Sequence, residues 1–384
     1  MVANTTEWYT GDQAGTPGMT GEDYVFGFKQ RIAVSVVYCL IATMGIPGNA
    51  FVILAVLLSR KLHTPTNILV VNLSVSDFFT CWTILIQVVV LLTSDQILMV
   101  VPRQLCVLTS AVNFVGNCNS LMTLTLIAFM RWYVITRSIR GHRGLYTPRN
   151  IAAMVAVVWT CSLVSMLLPP SLGLGTLGYS VVYKQCSTVD DNLLVIYDSM
   201  IKGCGTFVFV TIAIFFYTAI FLFVRKNSQK FLKRINHRDV TVYVMESTTS
   251  MEKESTTESA NVSHSPVRSL SYLVENGHHQ SEAELRMAAR FRKREMKVTK
   301  NLFVVFFIFL VCFFPFAVSV AIPGGSLINI YISVLVYCNA CINPVIYCLK
   351  HDQFKEVLRP MLSCRWAEIP QPTKILRHLF PRSG

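Results

Sequence analysis

The sequence predicts an all-α membrane protein: a seven-transmembrane helix bundle with a short amphipathic surface helix after the seventh span. Three observations carry this. The 384 residues are 53% hydrophobic and 14% charged, with mean hydropathy +0.49, whereas a soluble domain carries about a quarter charged residues. Seven stretches are apolar over the roughly 20 residues a helix needs to cross hydrocarbon. The basic residues lie between and after these stretches, alternating from side to side. A net charge of +13 could mark a nucleic-acid partner, but this distribution is the positive-inside pattern of a membrane chain, and no nucleic acid is expected.

In chain order, residues 1–29 are a polar outer tail without the apolar core of a cleavable signal peptide, so the first span is expected to act as an uncleaved signal. Asn4-Thr5-Thr6 is a glycosylation sequon on that tail. The matches at Asn72 and Asn261 fall in a span and an inner loop, and are discounted. The bundle occupies 30–349, with spans Gln30–Leu58, Pro65–Leu92, Cys106–Tyr133, Ile151–Leu168, Leu194–Val224, Val298–Ile322 and Ser326–Leu349. Of 34 lysines and arginines, all but Lys29, Arg31, Arg103, Lys184 and Lys202 fall on one side. That puts the amino terminus outside and the carboxyl terminus inside, as expected for a multi-pass plasma-membrane protein.

The third span is the central one. It carries Asn113, Asn117, Asn119 and Ser120 and ends in Arg131. Polar side chains in hydrocarbon are costly unless they meet partners or water, so this helix belongs at the middle of the bundle. The twelve cysteines lie mostly within apolar spans, where a thiol behaves as a small hydrophobe. On this topology only Cys106 and Cys186 lie outside, and that pair is the expected disulfide.

Residues 225–297 form a long inner loop. Asn236–Gln280 is rich in Ser, Thr, Glu and His, a composition that does not fold alone. Ser281-Glu282-Ala283-Glu284 then has capping-box spacing and starts a basic helix running into span six. After span seven, Phe354, Val357, Leu358, Met361 and Leu362 share one helical face, while Lys355 and Arg359 lie opposite. That predicts a surface helix over 350–363. Cys364, next in line, is a candidate palmitoylation site against the alternative of a free thiol. Residues 364–384 read as a cytoplasmic tail.

Taken together, the motifs resemble those of rhodopsin-like (class A) G-protein-coupled receptors, over roughly Gln30 to Leu362. They are Gly45-Ile46-Pro47-Gly48-Asn49, Leu73-Ser74-Val75-Ser76-Asp77, Trp159, Cys312-Phe313-Phe314-Pro315 and Asn343-Pro344-Val345-Ile346-Tyr347, with Phe354 at the family spacing. The stretch from span one to span two is similar to that of melatonin-type and related orphan receptors, though span three and the NPxxY string differ. The resemblance implies a cavity of Asn49, Asp77, Ser120, Asn339 and Asn343 able to hold an allosteric sodium ion and waters. Apart from Asp198 near the outer end of span five, Asp77 is the only acid within a span, and intramembrane carboxylates default to functional sites. The alternative is a protonated Asp77 that only hydrogen-bonds neighbouring helices. No other cofactor is expected.

For activation and G-protein coupling the resemblance implies Arg131, Ile139, Tyr217, Glu295, Phe309, Phe313, Pro315, Pro344 and Tyr347. Pro315 frees one backbone bond and lets span six bend. Tyr217 and Tyr347 match a pair of hydroxyls that approach each other in active relatives. Met130-Arg131-Trp132 lacks the family's acid before the arginine. Glu295 is the remaining acidic partner for Arg131, against the alternative that it pairs with helical neighbours. Elevated basal signalling is expected. Phe313 stands where most relatives have tryptophan, and Phe209 where a span-five proline is expected, so the usual bulge there is in doubt, with Gly203 and Gly205 as the alternative source of loosening.

The implied ligand pocket comprises Gln87, Asn113, Phe114, Asn117, Gln185, Ile201, Phe316, Val320, Ser333 and Tyr337. Asn113 stands where amine receptors carry aspartate, which disfavours a monoamine. Tyr337 stands at the opsins' retinal lysine, so no Schiff base can form. Lys202 can meet an acidic ligand or pair with Asp198 one turn away. An apolar site with a few amides suits a neutral or lipid-like extracellular ligand; a peptide remains open. Expected partners are that ligand, a heterotrimeric G protein, arrestin, a receptor kinase and membrane lipids. The rival reading, an ion-coupled transporter or channel, lacks inverted repeats. An enzyme would need a second acid or a histidine deep within a span; no span holds a histidine, and the other acid, Asp198, lies at the outer end of span five.

Overall fold

The computed structural model describes residues 27–93, 101–137, 144–173, 175–180, 184–189, 203–223, 225–226, 303–304, 306–316, 318–319 and 326–380. Asn4, Ile139, Asp198, Ile201, Lys202, Glu295 and Val320 lie outside the described residues, as does nearly all of the 225–297 loop.

The helices are α1 (Phe28–Leu58), α2 (Pro65–Leu92), α3 (Arg103–Arg137), α4 (Pro148–Ser171), α5 (Gly205–Phe223), α6 (Phe306–Phe316), α7 (Ser326–Lys350), α8 (Asp352–Leu362) and α9 (Lys374–Leu379). All but α6, α8 and α9 are long and apolar enough to cross a bilayer, and α6 is the described, apolar part of the sixth predicted span. Together they form the predicted seven-helix bundle. Several helices outrun the apolar stretches that announced them: α3 starts at Arg103 and α4 at Pro148. For α4 the reason is capping rather than hydropathy, and α2 is capped in the same way. Thr147 accepts from Asn150 N–H at 3.3 Å with proline at the first helical position, and Thr64 does the same for α2. Conversely, α8 begins at Asp352 rather than 350, because α7 runs through Lys350 and His351 breaks the helix with an extended ψ of 100°.

Burial sorts the helices. Within the most apolar window, 61% of α7, 56% of α3 and 50% of α2 is buried, against 33% for α1, 22% for α5 and 17% for α4. The polar third helix is therefore central, and α4 and α5 face lipid with side chains such as Phe207 and Phe215. Close approach of α1 to α2 and α7 requires glycine. A Cβ at Gly45 would overlap Cys81 Sγ, and one at Gly48 would sit 3.0 Å from Pro344 Cβ. One apolar cluster fills the lower half of the bundle, from Leu73 and Ile127 to Phe309, Tyr347 and Phe354.

On the outer side, β1 (Leu177–Ser180) and β2 (Gln185–Thr188) form an antiparallel hairpin that pairs Tyr179 with Cys186. The predicted disulfide Cys106–Cys186 ties it to the start of α3. In the chain-entropy model, a closed loop of this length adds roughly 4 kcal/mol.

The stretch after Cys364 is the main departure from the sequence reading. Rather than a free tail, residues 366–380 fold back against the α1–α2 turn, with an antiparallel bridge from Ser59 to Pro372. Ile369 and Leu376 are buried in the lower cluster. The α1–α2 turn and α8 are further joined by a Lys61–Glu356 ion pair.

Candidate functional site

A cavity of about 560 Å³ lies beneath the hairpin between α3, α4, α5, α6 and α7, within the range of small-molecule sites. Seven predicted pocket residues line it: Asn113, Phe114, Asn117, Gln185, Phe316, Ser333 and Tyr337. No lining residue among those described is charged at neutral pH. Its floor includes a hydrogen-bonded chain. Thr83 Oγ1 donates to Asn113 Oδ1 at 2.5 Å, and Asn113 Nδ2 donates to the Tyr337 hydroxyl at 3.1 Å. Tyr337 is held edge-on by Tyr38 at 5.2 Å, whose hydroxyl meets Ser333 Oγ at 3.0 Å.

Gln87 sits behind the cavity wall rather than on it. It is fully buried, and its side chain bonds Tyr337, which lines the cavity. Its Nε2 donates to Cys186 O at 2.7 Å, and Cys186 N–H donates to its Oε1 at 2.9 Å. A glutamine amide matches a peptide's donor and acceptor in one plane, so Gln87 clamps the disulfide strand. The α4 wall, Cys161 and Ser165, was not anticipated, and on span five Ile201 was expected where Thr206 and Phe209 line the cavity; small polar residues on an otherwise lipid-facing α4 were the available signal. Span five keeps a widened turn after all. Residues 203–204 form a π-helical turn directly before α5. Glycine at 203 and 205 loosens the backbone where proline is missing.

Below the cavity sits Asp77, 2% exposed. Ser120 Oγ donates to its Oδ1 at 3.0 Å and Asn343 Nδ2 to its Oδ2 at 2.8 Å. These bonds join α2, α3 and α7. The other two predicted members are buried nearby without bonding the carboxyl. Asn49 instead spends its amide on Gly45 O (2.9 Å) and Ala340 O (2.8 Å), joining α1 to α7. Among the described residues, Asn49 Oδ1 and Ser74 Oγ are buried without a hydrogen-bond partner. A carboxyl group and spare hydroxyl and carbonyl oxygens are the donor set a hard cation or water takes.

Toward the inner end, Arg131 is 7% exposed and lies within electrostatic reach of Tyr217, which in turn interacts with Tyr347. Of the predicted inner residues, Arg131, Tyr217 and Tyr347 thus lie near one another, and Ile139 and Glu295 lie outside the described residues. Tyr217 packs on Phe303 and Phe306 of the sixth span at 5.3 and 5.2 Å. Tyr347 stacks on Phe354 of α8 at 5.6 Å, its hydroxyl buried without a hydrogen-bond partner among the described residues. Phe309 and Phe313 stack at 4.3 Å, with Phe313 also lining the upper cavity. Met130, where the family acid would stand, is 1% exposed in the lower cluster.

Comparison with known proteins agrees with this geometry. Residues 48–347 match the family described as 7 transmembrane receptor (rhodopsin family). Similar curated proteins include mouse (Mus musculus) 5-hydroxytryptamine receptor 1F, 24% identical over 379 residues, covering 92% of this chain and 99% of that one. Human (Homo sapiens) 5-hydroxytryptamine receptor 1B is 26% identical over 363 residues, covering 89% and 90%. Among solved structures, squid rhodopsin matches with a TM-score of 0.67 at 17% identity over 94% of both chains, which speaks for the fold.

Proposed function

The chain belongs to the rhodopsin family of seven-transmembrane receptors, which signal through heterotrimeric G proteins, and from that premise we propose that it takes a neutral or lipid-like extracellular ligand in the cavity under the hairpin. The observation that carries this is the cavity wall: about 560 Å³ with no charged lining side chain among the described residues. Of its lining amides, Asn113 is already bonded on both sides to Thr83 and Tyr337, which leaves Asn117 and Gln185 to orient a ligand. A protonated amine, such as the ligand in the names of the 5-hydroxytryptamine receptors above, would find no carboxylate there. Burying it unpaired would cost several kcal/mol.

Ligand binding shifts the bundle only through differential affinity for two states. Phe313 touches the cavity and stacks on Phe309, and Phe309 belongs to the cluster that holds Tyr347. A ligand pressing on Phe313 therefore bears on the contacts that keep the inner ends of α6 and α7 together. With Pro315 as the bend, the sixth helix swings outward and opens the space around Arg131 and Tyr217 to a G protein, with Ile139 as the docking residue of the second inner loop. Glu295, as partner of Arg131, would oppose that swing. Receptor-kinase phosphorylation of the Ser/Thr-rich inner loop would recruit arrestin by added negative charge. The amino terminus, with a glycan on Asn4, is extracellular in this reading, and an acyl chain on Cys364 would hold α8 on the inner leaflet.

Asp77, Ser120 and Asn343, with Asn49 and Asn339 nearby, would hold an allosteric sodium ion, whose charge would offset the buried carboxylate. Purified receptor should then unfold at higher temperature in sodium chloride than in choline chloride, and Asp77→Ala should abolish the difference. Equal unfolding in both salts for the wild type would remove the ion from the account.

The ligand reading is tested by nucleotide exchange on purified G proteins, screening neutral lipids against amines, with ion flux in liposomes as the control. Stimulation by neutral lipids supports it. A potent amine agonist, or flux without exchange, overturns it.

A further inference from the structure

The fold-back from Cys364 to Phe380 is unused by the receptor reading. It is fastened at the membrane boundary by backbone. Thr373 N–H donates to the carbonyl of Leu58, the last residue of α1, and Arg60 N–H donates to Gln371 O, both at 2.9 Å. Ser59 Oγ donates to Pro370 O at 2.6 Å. Ile369 and Leu376 are sunk into the lower cluster, and Trp366 stacks on Phe380 at 5.4 Å.

What this structure turns outward is apolar. Ile375 is 56% exposed, Leu379 61% and Phe380 43%, and Leu362 of α8 is 59% exposed. At helical spacing, Ile375, Leu376, Leu379 and Phe380 fall on one side of α9, and Lys374, Arg377 and His378 on the other. The helix starts at the residue after Thr373, which is bonded to Leu58. Leu54 and Leu57, just before Leu58, are exposed on the lipid-facing flank of α1. The apolar face of α9 therefore begins where hydrocarbon ends. Nearby acids are engaged: Glu356 with Lys61 and Glu368 with Arg365. Lys374 and Arg377 are exposed and have no ion-pair partner among the described residues.

We propose that α9 and Phe380 form a second interfacial foot beside α8, with the exposed Ile375, Leu379 and Phe380 in the inner leaflet and Lys374 and Arg377 on anionic phospholipid headgroups. An apolar face gives affinity for any bilayer, and the basic flank adds preference for an anionic one. Only the identity of the leaflet rests on the receptor reading. Because the foot is tied to Leu58 and Arg60 through main chain, anionic lipid bound there would brace the α1–α2 turn and α8 as one unit.

The test uses full-length receptor in nanodiscs, with Leu379→Trp and separately Ile375→Trp, both at exposed positions. The emission gained over the parent chain is followed with brominated phosphatidylcholine alone or mixed with phosphatidylserine. The expected result is quenching by the brominated chains and shielding from iodide. Both should be stronger with phosphatidylserine, and that dependence should be lost in Lys374→Glu/Arg377→Glu. Emission quenched by iodide but not by bromine overturns the proposal. So does shielding from both quenchers, which would mean a second copy or a soluble protein covers the patch. Equal quenching in the two lipids removes the anionic headgroups and overturns it as stated.

Discussion

Replacing Asn72 tests whether the polar residues of α3 are structural. Trp159 Nε1–H can only donate, so the Asn72 atom that faces it at 2.7 Å must be Oδ1. That choice turns Nδ2 toward α3, where it donates to Asn119 Oδ1 at 2.9 Å and Thr123 Oγ1 at 2.7 Å. Thr123 in turn donates to Asn119 Oδ1 at 3.1 Å. Four side chains thus lock α2, α3 and α4 in one orientation. Hydrogen bonds between membrane helices are worth roughly 0.6 kcal/mol on average and at most about 1.7. Three lost in Asn72→Leu should cost about 2 kcal/mol, lowering the unfolding temperature by roughly 4 °C at about 2 °C per kcal/mol. The assay is thermal unfolding of purified receptor in detergent, followed by a thiol-reactive dye on the buried cysteines. Trp159→Phe completes a cycle that isolates one bond, with an expected coupling of about 0.6 kcal/mol. Strict additivity, within about 0.3 kcal/mol, would show that the indole and the amide do not cooperate and that the orientation argument fails.

Gly45→Ala should lower the folded yield, because the new Cβ overlaps Cys81 Sγ and presses on Cys341 Cβ at 3.3 Å, an overpacking cost of about 1–3 kcal/mol. Adding Cys81→Ala should restore much of it, and a double variant no better than the single one would contradict the stated clash. Gln87→Leu strips both partners from the Cys186 backbone and should cost at least about 2 kcal/mol, seen as faster amide hydrogen exchange in the 184–189 strand. Unchanged exchange with an altered ligand response would return Gln87 to the pocket. Met130→Asp places the missing acid beside Arg131 and should lower basal nucleotide exchange on a purified G protein; unchanged basal exchange would show that Met130 does not set it.

Most of the bundle was legible because the bilayer enforces it. Span number, the central place of α3 and the surface helix follow from hydropathy and charge. The buried pair of Asp77 with Asn343 followed from motif order, since a carboxyl group in hydrocarbon must find partners. Asn49 shows where that reasoning stops. Its type and depth suggested the Asp77 cavity, yet its amide turns to the carbonyls of Gly45 and Ala340. Rotamer choice between two competing acceptor sets leaves no mark in a sequence. Gln87 is alike in part: beside Tyr337 its partner is main chain, and the Cys186 peptide has the same hydrogen-bonding groups whatever its side chain.

The fold-back was the least legible part, and the cause is instructive. Its fastening uses the peptide groups of Leu58, Arg60, Gln371 and Thr373, which any residues would supply. Its side-chain signal is six helical residues long, too short for periodicity to stand out from a mixed tail. Only the spacing of Ile369, Leu376 and Phe380 against Lys374 and Arg377 distinguishes it from the polar inner loop. Such a segment is marginal alone, since an isolated helix under about 12 residues barely holds in water. It persists here because Ile369 and Leu376 insert into a cluster that α1, α2 and α8 have already built. Stability therefore runs from bundle to tail. Removing residues 369–380 should cost the bundle little, while loosening the α1–α2 turn should release the tail first.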